Sequence, residues 1–451
     1  MTHPTLIALS RRLASGETTS RALVEEALAR IADPKGEGAR TFLTVYAERA
    51  RAEADAVDAA RKNGETRPRF AGIPLAIKDL FDVAGEPTRA GSRALADAPA
   101  ARADAETIAN VRRAGFVMIG KANMTEFAFG ALGLNPHYGT PLSPWDRQRG
   151  HIPGGSTSGG AVAVADGMAA AALGSDTGGS CRIPAAFCGI VGLKPTQAHV
   201  SLKGVYPLAA SLDSIGPLAN SASCCAVLDS VLSGGTGEPE APGPLGGFSI
   251  AVIEGYVDEK LSAPVAKAYA AALDRLRKAG ARLTPLQLPE LAELPHVFRN
   301  GTIVEFEAYE THREQLETHG ALYDPWVRGR LEAGGARKRS DYVELMGERK
   351  RIRAAIAART KGFDALALPT IAIGPPALDE LGDMASSRAI NSLILRNPSL
   401  ANFLDRPAIS IPCHAPGDAP AGFMLMGESG LDGRLLAVAQ AAEAAIRGAG
   451  A

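Results

Sequence analysis

Two Gly-Gly-Ser turns, ending at Ser156 and Ser180, stand 24 residues apart, and far upstream Lys78, with Asp79 beside it, interrupts an apolar run from Ile73 to Leu80. A serine hydroxyl attacks a carbonyl only when another group takes its proton, and the charge that develops on the carbonyl oxygen needs donors close by. In Asp176-Thr177-Gly178-Gly179-Ser180 the glycines let the main chain fold tightly, so several N–H groups can converge beside the Ser180 hydroxyl. Losing one such donor typically costs about 3–4 kcal/mol of barrier. A lysine serves as the base once burial lowers its pKa enough to leave it neutral. Each feature also has a plainer reading: a Gly-Gly-Ser segment is a tight turn, and Lys78 can pair with Asp79 or snorkel from a strand end.

Other nucleophile and cofactor patterns fail. Gly154 to Gly159 follows a phosphate-binding loop only until Gly160 occupies the lysine position. The chain contains no G-x-G-x-x-G, no G-x-S-x-G elbow and no S-x-x-K, so dinucleotide, α/β-hydrolase and β-lactamase readings lack support. With no C-x-x-C and no H-E-x-x-H, the common zinc signatures are missing, and no metal ligand is assigned. Cys181, next to Ser180, is by type a second nucleophile or a packing residue.

The elements that must position these residues follow a strand–helix–strand order. Thr18, Thr19 and Ser20 can cap a helix whose apolar face is Leu23, Val24, Ala27, Leu28 and Ile31. Ala47 to Lys62 is a second helix. Ile73 to Ile77 suits a buried strand, Asp104 to Ala114 a helix closed by Gly115, and Phe116 to Ile119 the next strand. Asn123 and Glu126 stand at the spacing of a capping box, which predicts a helix start. Phe248–Ile253, Ala263–Ala279 and Arg282–Leu286 repeat the pattern, with Val265, Tyr269, Ala272, Leu273 and Leu276 as one apolar stripe. Such alternation predicts an α/β chain with a largely parallel sheet.

At 451 residues, 46% hydrophobic and 22% charged, the chain has ordinary globular composition. The 48 basic and 49 acidic residues give a net charge of −1, which offers no electrostatic case for nucleic acid or an anionic membrane. Five cysteines are too few and too scattered for a disulfide framework and suit a reducing compartment. Met1 to Arg30 lacks the apolar core of a signal peptide, and the tract Ala161 to Gly174 is too short to span a bilayer. A cytoplasmic location is therefore expected. Ser233 to Gly247, with six Gly and three Pro, reads as a surface loop within one domain.

Three motifs carry a resemblance. Gly72-Ile-Pro-Leu-Ala-Ile-Lys78-Asp79, Pro153-Gly-Gly-Ser156-Thr-Ser-Gly-Gly160, and Gly174 to Pro184 followed by Phe187 to Thr196 make the chain similar to the amidase signature family. The likeness runs from about Ile73 to Pro217 and resumes at Asn402–Pro412 and Gly422–Gly427, which look like the family's closing strands. It implies one α/β/α domain over 1–451, with a large mixed, mostly parallel central sheet covered by helices. The signature core is about 70–220, and substrate selection is expected in about 290–385. The implied triad is Ser180 as nucleophile, Ser156 as proton relay beside an unusual cis peptide, and Lys78 as base, with no cofactor. Members often read Gly-Gly-Ser-Ser-Gly-Gly, whereas Thr157-Ser158 fill the middle here; the kept 24-residue separation from Ser180 assigns the relay to Ser156, with Ser158 as the alternative. Backbone N–H groups of Thr177, Gly178, Gly179 and Ser180 map onto the family's oxyanion loop, which Asp176 and Arg182 brace.

The implied activity is hydrolysis of a small-molecule amide to carboxylate and ammonia or amine, in a protein that the family allows to be a homodimer. The alternative is the glutaminase-type subunit of a tRNA-dependent amidotransferase, although such subunits tend to carry Gln where this chain has Ile183. The resemblance puts Met124 and Phe127, with Phe129, near an acyl pocket; the same residue types also suit plain core. Arg349 to Arg359 reads as a solvated basic helix face, and Trp145 and Trp326 as candidates for an entrance. Small-amide, carboxybiuret-type and aryl or indole acetamide substrates all remain open.

Overall fold

The computed structural model describes residues 3–238 and 243–448; positions 239–242 of the Gly/Pro-rich segment, and the chain ends at 1–2 and 449–451, lie outside the described residues. Among the described residues eleven strands form one sheet, most of them from apolar runs of the sequence. They are β1 (Phe42–Val45), β2 (Pro74–Lys78), β3 (Val117–Ala122), β4 (Ala171–Ser175), β5 (Val191–Lys194), β6 (Ile215–Ala219), β7 (Ser249–Glu254), β8 (Arg282–Gln287), β9 (Ala365–Pro369), β10 (Ala408–Pro412) and β11 (Gly422–Met426). Their order is β1-β3-β2-β4-β6-β5-β10-β11-β9-β7-β8.

The two strand–helix–strand units read from the sequence stand at the flanks. There β2 runs parallel to β3 and β4, and β7 runs parallel to β8 and β9. Between them β4, β6, β5, β10, β11 and β9 pair antiparallel, as does edge strand β1 with β3. The sheet is therefore mixed rather than mostly parallel. Its middle is built by chain returns such as the short link between β10 and β11, which needs no crossover helix.

Strands β2 to β6 and β9 to β11 are buried along their whole length, because helices cover both faces. That is why they read as unbroken apolar runs rather than alternating ones. Leu75, Ile77, Leu173, Leu193, Ile409 and Phe423 pack on one face under helices Ala222–Leu232, Ala263–Lys278 and Asp432–Arg447. Ala76, Val117, Ile119 and Ala172 pack on the other under helices Ser20–Ala32, Ala47–Lys62 and Ser158–Ala165. Thr19 caps its helix through the Ala22 N–H, as the Ser/Thr cluster suggests.

Two local readings fail. Asn123–Glu126 starts no α-helix: only a single 3₁₀ turn, Glu126–Ala128, forms, with Phe127 at φ 52°. The capping groups are used elsewhere. Asn123 Nδ2 donates to the carbonyls of Arg40 and Gly139, and the Glu126 carboxylate accepts from Ser92, His137 and the Asp324 N–H. Asn402 likewise belongs to a helix, Pro398–Leu404, and the closing strand begins only at Ala408. Among the described residues no helix is long and apolar enough to cross a membrane, and the five cysteines are buried free thiols.

Sheet packing at β6 leaves no room for a side chain at Gly216, where an added Cβ would meet the Leu193 carbonyl oxygen at 1.9 Å. Gly216→Ala is expected to destabilise the protein by about 3 kcal/mol, at the upper end of ordinary overpacking costs. Gly247→Ala, where nothing lies within 4 Å, is expected to be near neutral. Urea unfolding of both variants beside the parent checks this; equal midpoints for all three would refute it.

Candidate active site at the ends of strands β2 and β4

Strands β2 and β4 run parallel, and their C-terminal ends bring Lys78 and Ser175 side by side. The Lys78 ammonium is fully buried. Its Nζ donates to Ser156 Oγ at 2.7 Å and to Ser175 Oγ at 2.8 Å, and no carboxylate lies within ion-pair distance among the described residues. Pairing with Asp79 is not what holds it, since Asp79 accepts from the Gly91 N–H instead. Burial is the main influence on this lysine. It outweighs the fields of Cys181, Asp176 and Asp213 and lowers the pKa to about 8.

Ser156 follows a cis peptide from Gly155 and is fully buried. The Thr157 N–H donates to the Ser180 carbonyl at 3.3 Å, which ties the two serine segments together. Ser158, the alternative relay, is the first residue of helix Ser158–Ala165, and its hydroxyl has no partner. Lys78 therefore engages Ser156 and not Ser158. Ser175, unremarked in the sequence, is the additional lysine partner; only the β2–β4 pairing reveals it.

The loop from Asp176 to Ser180 is fixed by buried charge. Asp176 accepts from Arg182 Nε at 3.1 Å and Nη2 at 2.9 Å, from Asn402 Nδ2 at 2.9 Å, and from the N–H groups of Gly179 and Cys181. Burial alone would push this carboxyl up, but the Arg182 guanidinium, with Lys194 and Asn402, outweighs it and holds the pKa at about 2. Arg182, itself fully buried, also donates to the Pro398 carbonyl and to Asn402 Oδ1. Thr177 Oγ1 donates to Asp213 Oδ1 at 2.5 Å, and Asp213 also accepts from the Leu208 and Ala209 N–H groups. Burial lifts the Asp213 carboxyl to about 6. Asn402 and Asp213 show no sign of a role in the sequence, because each lies far along the chain from the loop it braces.

A cavity of about 390 Å³ opens at this loop, with Thr177, Gly178 and Ser180 in its wall. The N–H groups of these three residues have no acceptor among the described residues. Gly179 differs from the other three expected donors: its N–H is held by the Asp176 carboxylate at 2.8 Å. At φ 129° it also turns away, with no space for a Cβ between Pro398 and Ile183. The loop thus presents three N–H groups without an acceptor, and the Gly179 N–H is engaged by Asp176.

Met124 and Phe127 are core residues and not part of the cavity wall. The left-handed turn at Phe127 packs its ring against Tyr206, His312 and Tyr323. Phe129 is the member of that segment that does line the cavity, whereas Trp145 and Trp326 do not. Arg349 is no solvated residue either: it is buried and donates to the carbonyls of Phe403 and Asn402, bracing the helix that carries Asn402. Burial pushes the Cys181 thiol far up, so it is held protonated as packing. Among the described residues no group of three or more His, Cys, Asp or Glu is arranged to hold a metal ion.

Comparison with known proteins agrees with this architecture. The Amidase family model matches residues 22–436. The chain is 31% identical to 2-amino-5-chloromuconic acid deaminase of Comamonas testosteroni, over 98% of this chain and 96% of that protein. It is 34% identical to a glutamyl-tRNA(Gln) amidotransferase subunit of Chromohalobacter salexigens, over 96% and 95% of the two chains. A solved structure described as an amidase superposes with a TM-score of 0.88 at 34% identity, covering 98% of this chain and all of that one. The chain belongs to the amidase family.

Proposed function

We propose that the protein hydrolyses a small-molecule carboxamide to a carboxylate and ammonia or amine through a seryl acyl-enzyme. The observation that carries this reading is Lys78 Nζ, buried without a carboxylate and bonded to two hydroxyls, one of them Ser156. A neutral lysine accepts the Ser156 proton while Ser156 takes that of Ser180. Ser180 Oγ then bonds to the amide carbon, and the carbonyl electrons move to oxygen. In this reading the free N–H groups of Thr177, Gly178 and Ser180 stabilise that charge. The proton returns through Ser156 to the amide nitrogen, the C–N bond breaks, and the amine departs. Water, deprotonated along the same path, then splits the ester and restores Ser180.

Asp176, Arg182 and Asn402 act as positioning residues in this scheme, holding the loop without reacting. The region of about 290–385 supplies part of the cavity wall, including Phe298, Ile303 and Arg330, which suits a role in substrate choice. Five buried free thiols suit action in a reducing compartment such as the cytoplasm. A second reading, one component of a tRNA-dependent amidotransferase, rests on the likeness to the Chromohalobacter protein. Ammonia release from a simple amide by the purified chain alone favours the first reading, whereas activity only on glutamine with added partner proteins favours the second.

Ser180→Ala is expected to lower kcat by more than a thousandfold while circular dichroism and Tm stay at parental values; retention of a thousandth of the rate or more would remove Ser180 as nucleophile. Since Lys78 works as the free amine, kcat/KM is expected to rise about tenfold per pH unit below its pKa. The profile should level off above about 8, where burial places that group. Initial rates between about pH 6 and 9.5, with chemistry rate-limiting, check this, and a flat profile would contradict it.

A further inference from the structure

The basic run of the helix Arg339–Arg359 is divided between two faces. On one, ion pairs neutralise it: Arg351 meets Glu348 at 2.7 Å and also Glu293, and Arg359 meets Glu290 at 2.6 Å. The other face, at the helical spacing of Met346, Lys350, Arg353 and Ala357, forms a wall of a second cavity of about 510 Å³. This cavity shares no lining residue with the one beside Ser180. Arg349, Lys350 and Arg353 are joined there by Arg406, from the turn between helix Pro398–Leu404 and β10.

Charge in this second cavity is not balanced. Asp405 takes a single nitrogen of Arg353, Nη2, at 3.1 Å, and Arg353 Nε and Nη1 have no partner among the described residues. Lys350 Nζ has no hydrogen bond or ion pair there either, nor does the Glu428 carboxylate, which also lies in the wall. Arg349 and Arg406 are each only 5% exposed. The carbonyls of Phe403, Asn402 and Ser211 hold Arg349, while the Gly427 carbonyl at 3.2 Å and Thr360 Oγ1 at 2.7 Å hold Arg406. Those partners are neutral, so they orient the two guanidiniums without cancelling their charge. Burial, and after it the charge of Arg353, lower the proton affinity of Arg349.

The rest of the wall includes apolar Met346, Ala354, Ala357 and Leu404. Four cations from two segments of chain, against one unpaired carboxylate, exceed what a lone carboxylate ligand would neutralise. They suit a group carrying about two charges on three oxygens. A concave, partly buried wall also strengthens their field on an anion.

We infer that this cavity binds a phosphoryl group, either as free phosphate or as the head of a phosphate monoester whose body lies on Met346, Ala354 and Leu404. The site is separate from the catalytic one, and the inference holds whether or not Ser180 performs hydrolysis.

The test is calorimetry on the whole chain at low salt and about pH 7.5, where a phosphate monoester carries nearly two charges and benzoate one. The probes are phenyl phosphate, inorganic phosphate and benzoate. Lys350→Gln and Arg353→Gln each remove a cation of the cavity, and Arg339→Gln removes one from the same helix outside it. Arg349 and Arg406 are left intact because they brace the corner beside Asn402. Phenyl phosphate is expected to bind with a Kd below about 1 mM and at least about tenfold more tightly than benzoate. Lys350→Gln and Arg353→Gln are each expected to weaken it by about 5- to 30-fold, and Arg339→Gln by less than about twofold. Should Arg353→Gln lower Tm by freeing Asp405, Lys350→Gln, which breaks no contact, decides. Phenyl phosphate bound more tightly than inorganic phosphate assigns the site to a monoester, and equal affinity assigns it to free phosphate. Weaker binding than that Kd, benzoate bound as well as phenyl phosphate, parental affinity in Lys350→Gln, or an equal loss in Arg339→Gln would each overturn the inference.

Discussion

Taking a lysine amine out of water without giving it a carboxylate is the constraint on which the rest of this structure turns. A buried ammonium is costly, and the ordinary remedy is an ion pair. Lys78 has two hydroxyls instead, so the protein lowers its proton affinity rather than neutralising its charge. Much of the surrounding architecture keeps that situation intact. The sheet is covered on both faces, Asp79 is turned to the Gly91 N–H, and the Asp176 carboxylate is fully engaged by Arg182 and Asn402. Had either acid been free to approach Lys78, the amine would stay charged and could not accept a proton at neutral pH.

The same buried ion pair sets the geometry of the loop before Ser180. Asp176 holds the Gly179 N–H, and Asp213 holds the Thr177 hydroxyl. The N–H groups of Thr177, Gly178 and Ser180 are what remain free at the cavity. This division of labour joins distant parts of the chain. Asn402, the Pro398 carbonyl and Arg349 come from the C-terminal half, so the signature segment does not build its site alone.

What was legible in the sequence divides along the same line. The helices Ala47–Lys62 and Ala263–Lys278 and their neighbouring strands follow from period and composition. Ser156, Ser180 and Lys78 stand out as residue types at odd positions among glycines and aliphatics. Ser175, Asp213 and Asn402 could not be read, since their importance comes from strand register and from contacts between segments far apart in the chain. Asn123 and Glu126 misled for a related reason: their capping-box spacing is genuine, but Ser92, His137 and the Asp324 N–H take the Glu126 carboxylate, and the Arg40 and Gly139 carbonyls take the Asn123 amide. Met124 and Phe127 show that proximity along the chain to a pocket residue does not determine which way a side chain points, whereas Phe129, close by, reaches the cavity.

The most direct test is the titration of Lys78 itself. Protein labelled with ¹³C at the lysine side chains, compared with a Lys78→Met variant to identify the signal, gives the pKa of this amine by NMR. A value near 8, well below that of the exposed lysines, is the predicted result. A value at the ordinary lysine position near 10.5 would mean that the amine stays charged at neutral pH, and the proposed proton path from Ser180 through Ser156 would be wrong.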